Sequence, residues 1–324
     1  RPLICTDKGI MATDIFDKVR SVLPNDVTPT VFDGTPGNPT EVAVREALAM
    51  YRENDCDGII SLGGGSSIDL GKAVALLATH DGPIDDWSAF NGGRDRIGAT
   101  PPNIAIPTTA GTGSEVGGGS IIVTEDGRKI VIGSPHLMPK MAICDPELTL
   151  GLPKLLTAAT GMDAMAHCIE AYLTPIVNPP AAAIGLDGLE RVVTYLKRAV
   201  DDGSDREARW HMMMAASEGC MAFAKGLGCV HSMSHALGAD PELRLHHGTL
   251  NAVVMPTVLR FNADHVGDKF TRLRGAMGLA AKADIADWIT DFNAALELPK
   301  NLAEMGVTDA MIPDLAIHCI DRKS

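Results

Sequence analysis

The sequence predicts two domains of different class: a mostly parallel α/β domain over 1–152, followed by an all-helical domain over 153–324. Three observations lead there. Short apolar runs ending in turn residues alternate with helix-period segments through the first half. Glycine clusters stand directly after two of those runs. Beyond Pro153, strand-like runs become scarce and long helical patterns take over.

Taken in order, the strand candidates are 3–5, 30–32, 58–62, 103–106 and 141–144. Helix-period segments lie between several of them. One spans 40–54, where Val42, Ala47 and Met50 are expected to share a face; another spans 67–80. This βαβ rhythm implies a sheet covered by helices on its faces. The stretch 117–134 differs. Runs 120–123 and 129–132 flank a Glu125-Asp126-Gly127 turn, which reads as a β-hairpin. In the second half the helical patterns cover 157–173, 181–200, 205–225, 229–236 and 249–262.

Composition excludes several classes. Hydrophobic residues make up 45% of the 324, too many for a disordered chain. Lys+Arg 28 against Asp+Glu 41 gives −13, which argues against nucleic acid or an anionic membrane surface as partner. The 7 cysteines are odd in number, widely spaced and without a CxxC pair. Reduced thiols and a cytoplasmic setting are therefore expected. No basic segment followed by an apolar run opens the chain, so no signal peptide is expected. No run of about 18 apolar residues could span a membrane.

Gly63-Gly64-Gly65-Ser66-Ser67 follows one strand candidate and precedes a helix. Glycines let backbone approach an anion, and the first amides of the helix then face it. A phosphate or pyrophosphate is the expected guest; a tight structural turn is the alternative. Neither standard phosphate motif fits. A dinucleotide fingerprint starting at Gly63 needs glycine where Ile68 stands, and a P-loop ending at Lys72 needs glycine at Ser66 and a hydroxyl at Ala73. The second loop, Pro107-Thr108-Thr109-Ala110-Gly111-Thr112-Gly113-Ser114-Glu115, suits hydrogen bonds to a ribose or phosphate, and equally a helix cap.

The helical half carries polar pairs at helical spacing. Asp163 and His167 stand at i and i+4, as do His231 and His235, and His246-His247 precede an apolar helix. Any one of these histidines reads as well as a hydrogen-bonded core or surface residue. Three clusters together favour a divalent-metal site, because imidazole with carboxylate suits Fe(II) or Zn(II) and several buried rings would otherwise each need a partner.

These pieces, in this order, resemble the iron-containing (group III) alcohol dehydrogenases. The likeness rests on Gly63-Gly64-Gly65-Ser66-x-x-Asp69-x-x-Lys72, on Pro107-Thr108-Thr109-x-Gly111-Thr112-Gly113-Ser114-Glu115 and on Asp145-Pro146. It continues through Gly161-x-Asp163-Ala164-x-x-His167-x-x-Glu170-Ala171, then Gly228-x-x-His231-x-x-x-His235-x-x-Gly238 and His247-Gly248. It covers nearly the whole chain, and its motifs are specific jointly rather than singly. The resemblance implies a nucleotide-binding α/β domain, a metal-binding helical domain, and hydride transfer between a small alcohol or aldehyde and NAD. It implies that Asp163, His167, His231 and His247 hold the metal, usually Fe(II) and sometimes Zn(II). It assigns Gly64, Gly65, Ser66 and Asp69 to the coenzyme loop, with Thr108, Thr109 and Thr112 along the coenzyme and Lys129 near the nicotinamide ribose. His235 stands beside the substrate as a proton relay, and His231 serves the chemistry as well as the metal. Asp7 matches the position facing the adenosine ribose, where a carboxylate favours NAD over NADP; a helix N-cap is its simpler role. Lys129 reads equally as a solvated hairpin residue. Family members assemble as dimers or larger homo-oligomers.

Some features depart from the pattern. The sixteen residues from His231 to His247 make a slightly longer loop than usual, with Glu242 and Arg244 in it, and His246 is a rival to His247 as ligand. The family usually has an opening segment before the first strand, and a further stretch after the position of Asp321. Relatives that reduce maleylacetate often lack the full ligand set, whereas Asp163 and all the histidines are kept here. Two further readings are a metal- and NAD-using lyase of the dehydroquinate synthase type, which would want more Lys and Arg near the histidines, and a nucleotide-binding module without chemistry.

Overall fold

A computed structural model describes residues 1–238, 243 and 245–321. The chain divides into two compact units, Arg1–Thr109 with Ser114–Leu148, and Ala110–Gly113 with Thr149–Ser324. The division falls a few residues before the Leu152-Pro153 expected from sequence, and the short segment Ala110–Gly113 groups with the second unit.

In chain order the first unit contains β1 (Pro2–Cys5), α1 (Lys8–Met11), α2 (Ile15–Ser21), β2 (Thr30–Phe32), α3 (Glu41–Glu53), β3 (Gly58–Gly63), α4 (Gly65–Thr79), β4 (Asn103–Pro107), β5 (Gly119–Val123), β6 (Lys129–Gly133) and β7 (Met141–Ala142). Five of the strands form one parallel sheet in the order β2-β1-β3-β4-β7, with Ile4 opposite Ile60 and Ile60 opposite Ile104. Strand alternation sorts the core onto two faces. Leu3, Cys5 and Ile59 pack with Val44, Ala47 and Leu48 of α3 and with Leu70, Val74 and Leu77 of α4. Ile4, Ile60, Leu62 and Ile106 pack on the other face with Ile15, Phe16 and Val19 of α2.

The caps of α3 follow its sequence limits: the Thr40 hydroxyl accepts from the Ala43 amide, and Asn54 ends the helix. Its buried face differs from the expected one. Ala43, Val44, Ala47, Leu48 and Tyr51 are buried, Met50 is partly buried and Val42 is 50% exposed. At about 100° per residue, the five-residue step from Val42 to Ala47 turns the two roughly 140° apart, so they cannot share a face.

The antiparallel pair β5–β6 is the expected hairpin, with Gly127 at φ 84 in its turn. It is tied to α4 by a buried cation. Lys72, fully buried, donates to the Ser114 hydroxyl (2.6 Å) and the Gly119 carbonyl (2.7 Å), 3.7 Å from the Asp69 carboxylate. Asp69 accepts from the Ser114 hydroxyl (2.5 Å) and the Ile121 amide (3.0 Å), and its carbonyl accepts from Ser120 (2.8 Å). Burial raises the Asp69 carboxyl above its ordinary range, opposed by Lys72 and these hydrogen bonds.

The second unit is helical: α5 (Lys154–Leu173), α6 (Pro179–Asp201), α7 (Arg206–Ala222), α8 (Cys229–Leu237), α9 (His247–Asn262), α10 (Lys269–Ala276), α11 (Ile285–Ala295) and α12 (Ile312–Asp321). Asn178 and Asp205 cap α6 and α7 through their side chains. Buried along most of its length, α5 packs on α6, α7 and α9, and α9 also packs on α8 and α11. Among the described residues the cysteines form no disulfide, and no helix is long and apolar enough to cross a membrane.

Lys72→Ala should cost about 3–5 kcal/mol, because it strands a buried carboxylate and the Gly119 carbonyl. Denaturant midpoints checks this; a loss below about 1 kcal/mol would show that the hairpin does not depend on that ammonium.

Candidate active site

The strand order reverses direction at β1. From there the chain runs to β2 on one side and, through β3, to β4 and β7 on the other. Beyond the carboxyl ends of β1 and β3 the connections therefore leave in opposite directions, which opens a crevice suited to a nucleotide. The residues expected there lie at these strand ends. Asp7 follows β1 and caps α1, its carboxylate accepting from the Ile10 amide (3.0 Å), with the Ser67 hydroxyl 3.5 Å from its other oxygen. Gly63 closes β3 with φ 147, and a side chain there would meet Ser67 Oγ at 2.5 Å, so only glycine makes this turn. Gly64 is the N-cap of α4 and offers no side-chain acceptor, leaving the first amides of a 15-residue helix for an anion. Thr108, whose amide donates to the Gly63 carbonyl (3.0 Å), and Thr109, next to Gly64, end β4 against this loop.

Some assigned side chains are engaged elsewhere. The Ser66 hydroxyl donates to the Gly37 carbonyl (2.6 Å), so its amide is the part left for an anion. The Asp69 carboxylate faces the hairpin, as described above. Lys129 opens β6 opposite Val123, and Thr112 lies in the segment grouped with the helical unit.

The metal-ligand candidates converge from three helices of the second unit. Each helix contributes an i, i+4 pair, which places two side chains on one face: Asp163 and His167 on α5, His231 and His235 on α8, His247 and Asn251 on α9. Asp163, His167 and His231 are buried, with one donor atom from each within 4.8 Å of the others. From Asp163 Oδ1 to Nε2 the distances are 3.4 Å for His247, 3.5 Å for His231 and 3.9 Å for His167. His167 stacks on His231 with ring centroids 4.5 Å apart, and the His235 ring lies 4.9 Å from that of His247. His247 rather than His246 reaches Asp163; the His246 ring contacts Thr249 (3.4 Å). Glu242 and Arg244, noted in the preceding loop, lie outside the described residues.

Hydrogen bonding orients these rings. A carboxylate only accepts, so Nδ1 of His231 donates to Glu170 (2.7 Å). The Ser234 hydroxyl donates to the His231 carbonyl (3.2 Å) and is left to accept from His247 Nδ1, also at 3.2 Å. Both rings therefore turn Nε2 toward the Asp163 oxygen. The Asn251 amide nitrogen sits among them, 2.7 Å from Asp163 Oδ1, 3.3 Å from His231 Nε2 and 3.2 Å from His247 Nε2. Its Oδ1 is buried without a hydrogen-bond partner among the described residues.

Acceptors facing one another in a dry interior call for positive charge. Burial lowers the His231 pKa, yet the hydrogen bonds and charges of Asp163 and Glu170 outweigh it and push the ring up to about 9. Burial likewise raises Asp163, but the His167, His247 and His231 rings outweigh it and hold the carboxyl far below its ordinary range. Burial brings His167 down to about 4, against the pull of Asp163. One carboxylate with three imidazoles is a donor set suited to a borderline divalent ion, and such an ion answers the demand that protonation of His231 otherwise meets. A cavity of about 390 Å³ opens on the other side of Glu170, lined by Leu173, Val230, Val258 and Lys269 among others, and none of the converging ring nitrogens belongs to its wall.

Sequence reasoning gave Glu170, Ser234 and Asn251 no role. Helical spacing was the available signal: Glu170 stands seven residues after Asp163, Ser234 three after His231, and Asn251 four after His247.

Comparison with known proteins covers both units. Residues 1–146 match the model for iron-containing alcohol dehydrogenase, and residues 157–324 match that for the C-terminal part of the Fe-containing alcohol dehydrogenase family. The chain is 55% identical to 4-hydroxybutyrate dehydrogenase of Cupriavidus necator, over 98% of this chain and 87% of the relative. It is 37% identical to 1,3-propanediol dehydrogenase of Klebsiella pneumoniae, over 98% and 84%. Among solved structures, a 1,3-propanediol oxidoreductase superposes with a TM-score of 0.94 at 34% identity, covering 99% of this chain and 86% of the other. A sulfoacetaldehyde reductase from Bifidobacterium kashiwanohense, in complex with NAD+, gives 0.87 at 28%, covering 98% and 84%.

Glu170 also caps α8, accepting from the Val230 (2.7 Å) and His231 (3.2 Å) amides where the N-cap Gly228 has no side chain to do so. A Cβ at 228 would lie 2.7 Å from Glu170 Oε1. Gly228→Ala should therefore displace the carboxylate and cost about 2–3 kcal/mol in chemical unfolding; an unchanged midpoint would mean that the cap is dispensable.

Proposed function

Because the chain belongs to the iron-containing alcohol dehydrogenase family, we propose that it oxidises a short terminal hydroxy acid, 4-hydroxybutyrate, with NAD, and that Asp163, His167, His231 and His247 hold one Fe(II) for that reaction. The class is a metal- and nicotinamide-dependent oxidoreductase of the alcohol dehydrogenase type. One observation carries the site: three Nε2 atoms from three helices face a single buried carboxylate oxygen. The substrate rests on the 55% identity with a dehydrogenase named for it.

A divalent cation at these four groups supplies Lewis-acid polarisation of an alcohol oxygen. The protein does the rest. Asp163 and Glu170 bring the negative charge that keeps a cation in a buried place, and the oriented rings offer it lone pairs. His235, half-buried beside His247, is positioned to take a proton from the reacting hydroxyl toward water. Beyond the carboxyl ends of β3 and β4, the Gly65 and Ser66 amides at the start of α4 bind the pyrophosphate, with Thr108 and Thr109 beside it. Asp69 acts through the hairpin that it pins, on which Lys129 stands as the residue assigned to the nicotinamide ribose by the family resemblance. Asp7 accepts from the adenosine ribose hydroxyls and repels a 2′-phosphate, which favours NAD over NADP.

The test is a substrate panel on protein reconstituted with Fe(II) or Zn(II). 4-Hydroxybutyrate should exceed 1,4-butanediol, of equal length but without the carboxylate, by roughly tenfold or more in kcat/KM. Equal values would remove the hydroxy-acid reading. His247→Ala should lose bound metal while His246→Ala keeps it; the opposite pattern would transfer the ligand role to His246. Asp7→Ala should raise use of NADP relative to NAD by about tenfold, through loss of the repelling charge. A ratio that stays put would leave Asp7 as a helix cap.

A further inference from the structure

We propose that Glu170, Ser234 and Asn251 are positioning residues that set the geometry and tautomers of the metal-ligating rings before any ion arrives. This inference rests on the assignment of Asp163, His167, His231 and His247 as ligands. It starts from where the protons go. Glu170 can only accept, so the proton on the His231 ring belongs on Nδ1, and Nε2 keeps the lone pair that an ion needs. Ser234 spends its own proton on the His231 carbonyl, so its oxygen draws the His247 proton to Nδ1 and frees that ring's Nε2 in the same sense. Asn251 contributes a neutral donor at the centre of the cluster. Its amide bonds Asp163 Oδ1 and lies within 3.3 Å of both freed Nε2 atoms, so it offsets their mutual repulsion and holds the carboxylate in place.

The three act from different elements. Glu170 is on the same helix as Asp163 and His167, and it bonds the ring and the amide of His231 on α8. Ser234 joins α8 to α9, and Asn251 joins α9 to α5. Each helix–helix contact of the cluster thus has its own polar tie, and all three tie residues are buried. Buried polar groups tied to specific partners favour one arrangement, because most others would break those hydrogen bonds in a dry interior. Partners that hold ligating rings in this way usually contribute one to two orders of magnitude to metal affinity.

The experiment measures Zn(II) affinity of the chelator-stripped full chain by competition with a chromophoric chelator, together with the visible spectrum of the Co(II)-loaded form. Wild type should bind one ion per chain. Glu170→Ala and Asn251→Ala should each weaken Zn(II) by roughly 10–100-fold at unchanged stoichiometry, and each should alter the Co(II) spectrum. Glu170→Gln, which still accepts from Nδ1, should recover much of the loss. Ser234→Ala should weaken binding less, since water can replace a hydroxyl. If Glu170→Ala fails to fold for want of the α8 cap, Glu170→Gln and Asn251→Ala decide the matter. Wild-type affinity and spectrum in Asn251→Ala, with Glu170→Gln or Glu170→Ala also unchanged, would overturn the proposal. His231→Ala separates the two levels: if it binds Zn(II) as wild type does, the ligand assignment is wrong; if it loses the ion while the positioning variants keep theirs, only the present inference fails.

Discussion

The helical unit is organised around one buried negative charge, the Asp163 carboxylate. A carboxylate in so dry a place costs several kcal/mol unless it is surrounded by donors and positive charge. The sequence surrounds it with both: three imidazoles, one carboxamide, and a second buried carboxylate, Glu170, that polarises one of the rings. Two buried carboxylates, Asp163 and Glu170, stand beside rings that turn nitrogen toward Asp163, and such a place favours a cation.

The first unit solves the opposite problem. Its sheet order brings backbone amides and a positive helix end to the carboxyl end of the sheet, a place that favours an anion. Strain is concentrated where it serves that purpose. Gly63 adopts a left-handed φ so that α4 starts immediately after β3, and the Thr108 amide returns to the Gly63 carbonyl to close the loop. Asp7 shows how one residue serves two ends. It caps α1, and the same placement leaves a carboxylate bordering the Gly63–Ser67 loop. The two readings of that residue, cap and ribose acceptor, are compatible rather than rival.

Much of this was legible because the periodicities were clean. The inner strands β1, β3 and β4 are buried on both faces and so read as short apolar runs, and all five strands begin within a residue of the runs at 3–5, 30–32, 58–62, 103–106 and 141–144. The fifth, β7, pairs through only two residues, too few for an apolar run to mark its end. On α3 the apolar residues were visible but the face was misjudged, because Val42 was grouped with Ala47 without applying the helical angle. At the metal centre the ionisable pairs stood out since Asp and His are rarely buried without a reason. The residues that orient them did not. Ser and Asn are common on helices, and only three-dimensional contact shows that Ser234 and Asn251 touch imidazole nitrogens. The commitment of the Ser66 hydroxyl to Gly37 was hidden for the same reason, since its partner lies 29 positions away on a loop with no pattern of its own.

Helix geometry explains why the ligands are so scattered along the chain. One turn rises about 5.4 Å, so a helix can present two side chains, at i and i+4, to a small ion and no more. Four ligands would therefore need at least two helices; the proposed set comes from three, which is why it spans residues 163 to 247. None of the pairs makes a site alone. The site exists only once α5, α8 and α9 are packed, and by linkage an ion that binds only that packed form stabilises it in proportion to the logarithm of its concentration over Kd. The polar ties at Glu170, Ser234 and Asn251 lie on those same helix contacts. Their energy is thus shared between folding and metal binding: whatever they contribute to holding the helices in register is ordering that the ion does not have to impose. In this fold, positioning the ligands and packing the core are one process, carried by the same few buried hydrogen bonds.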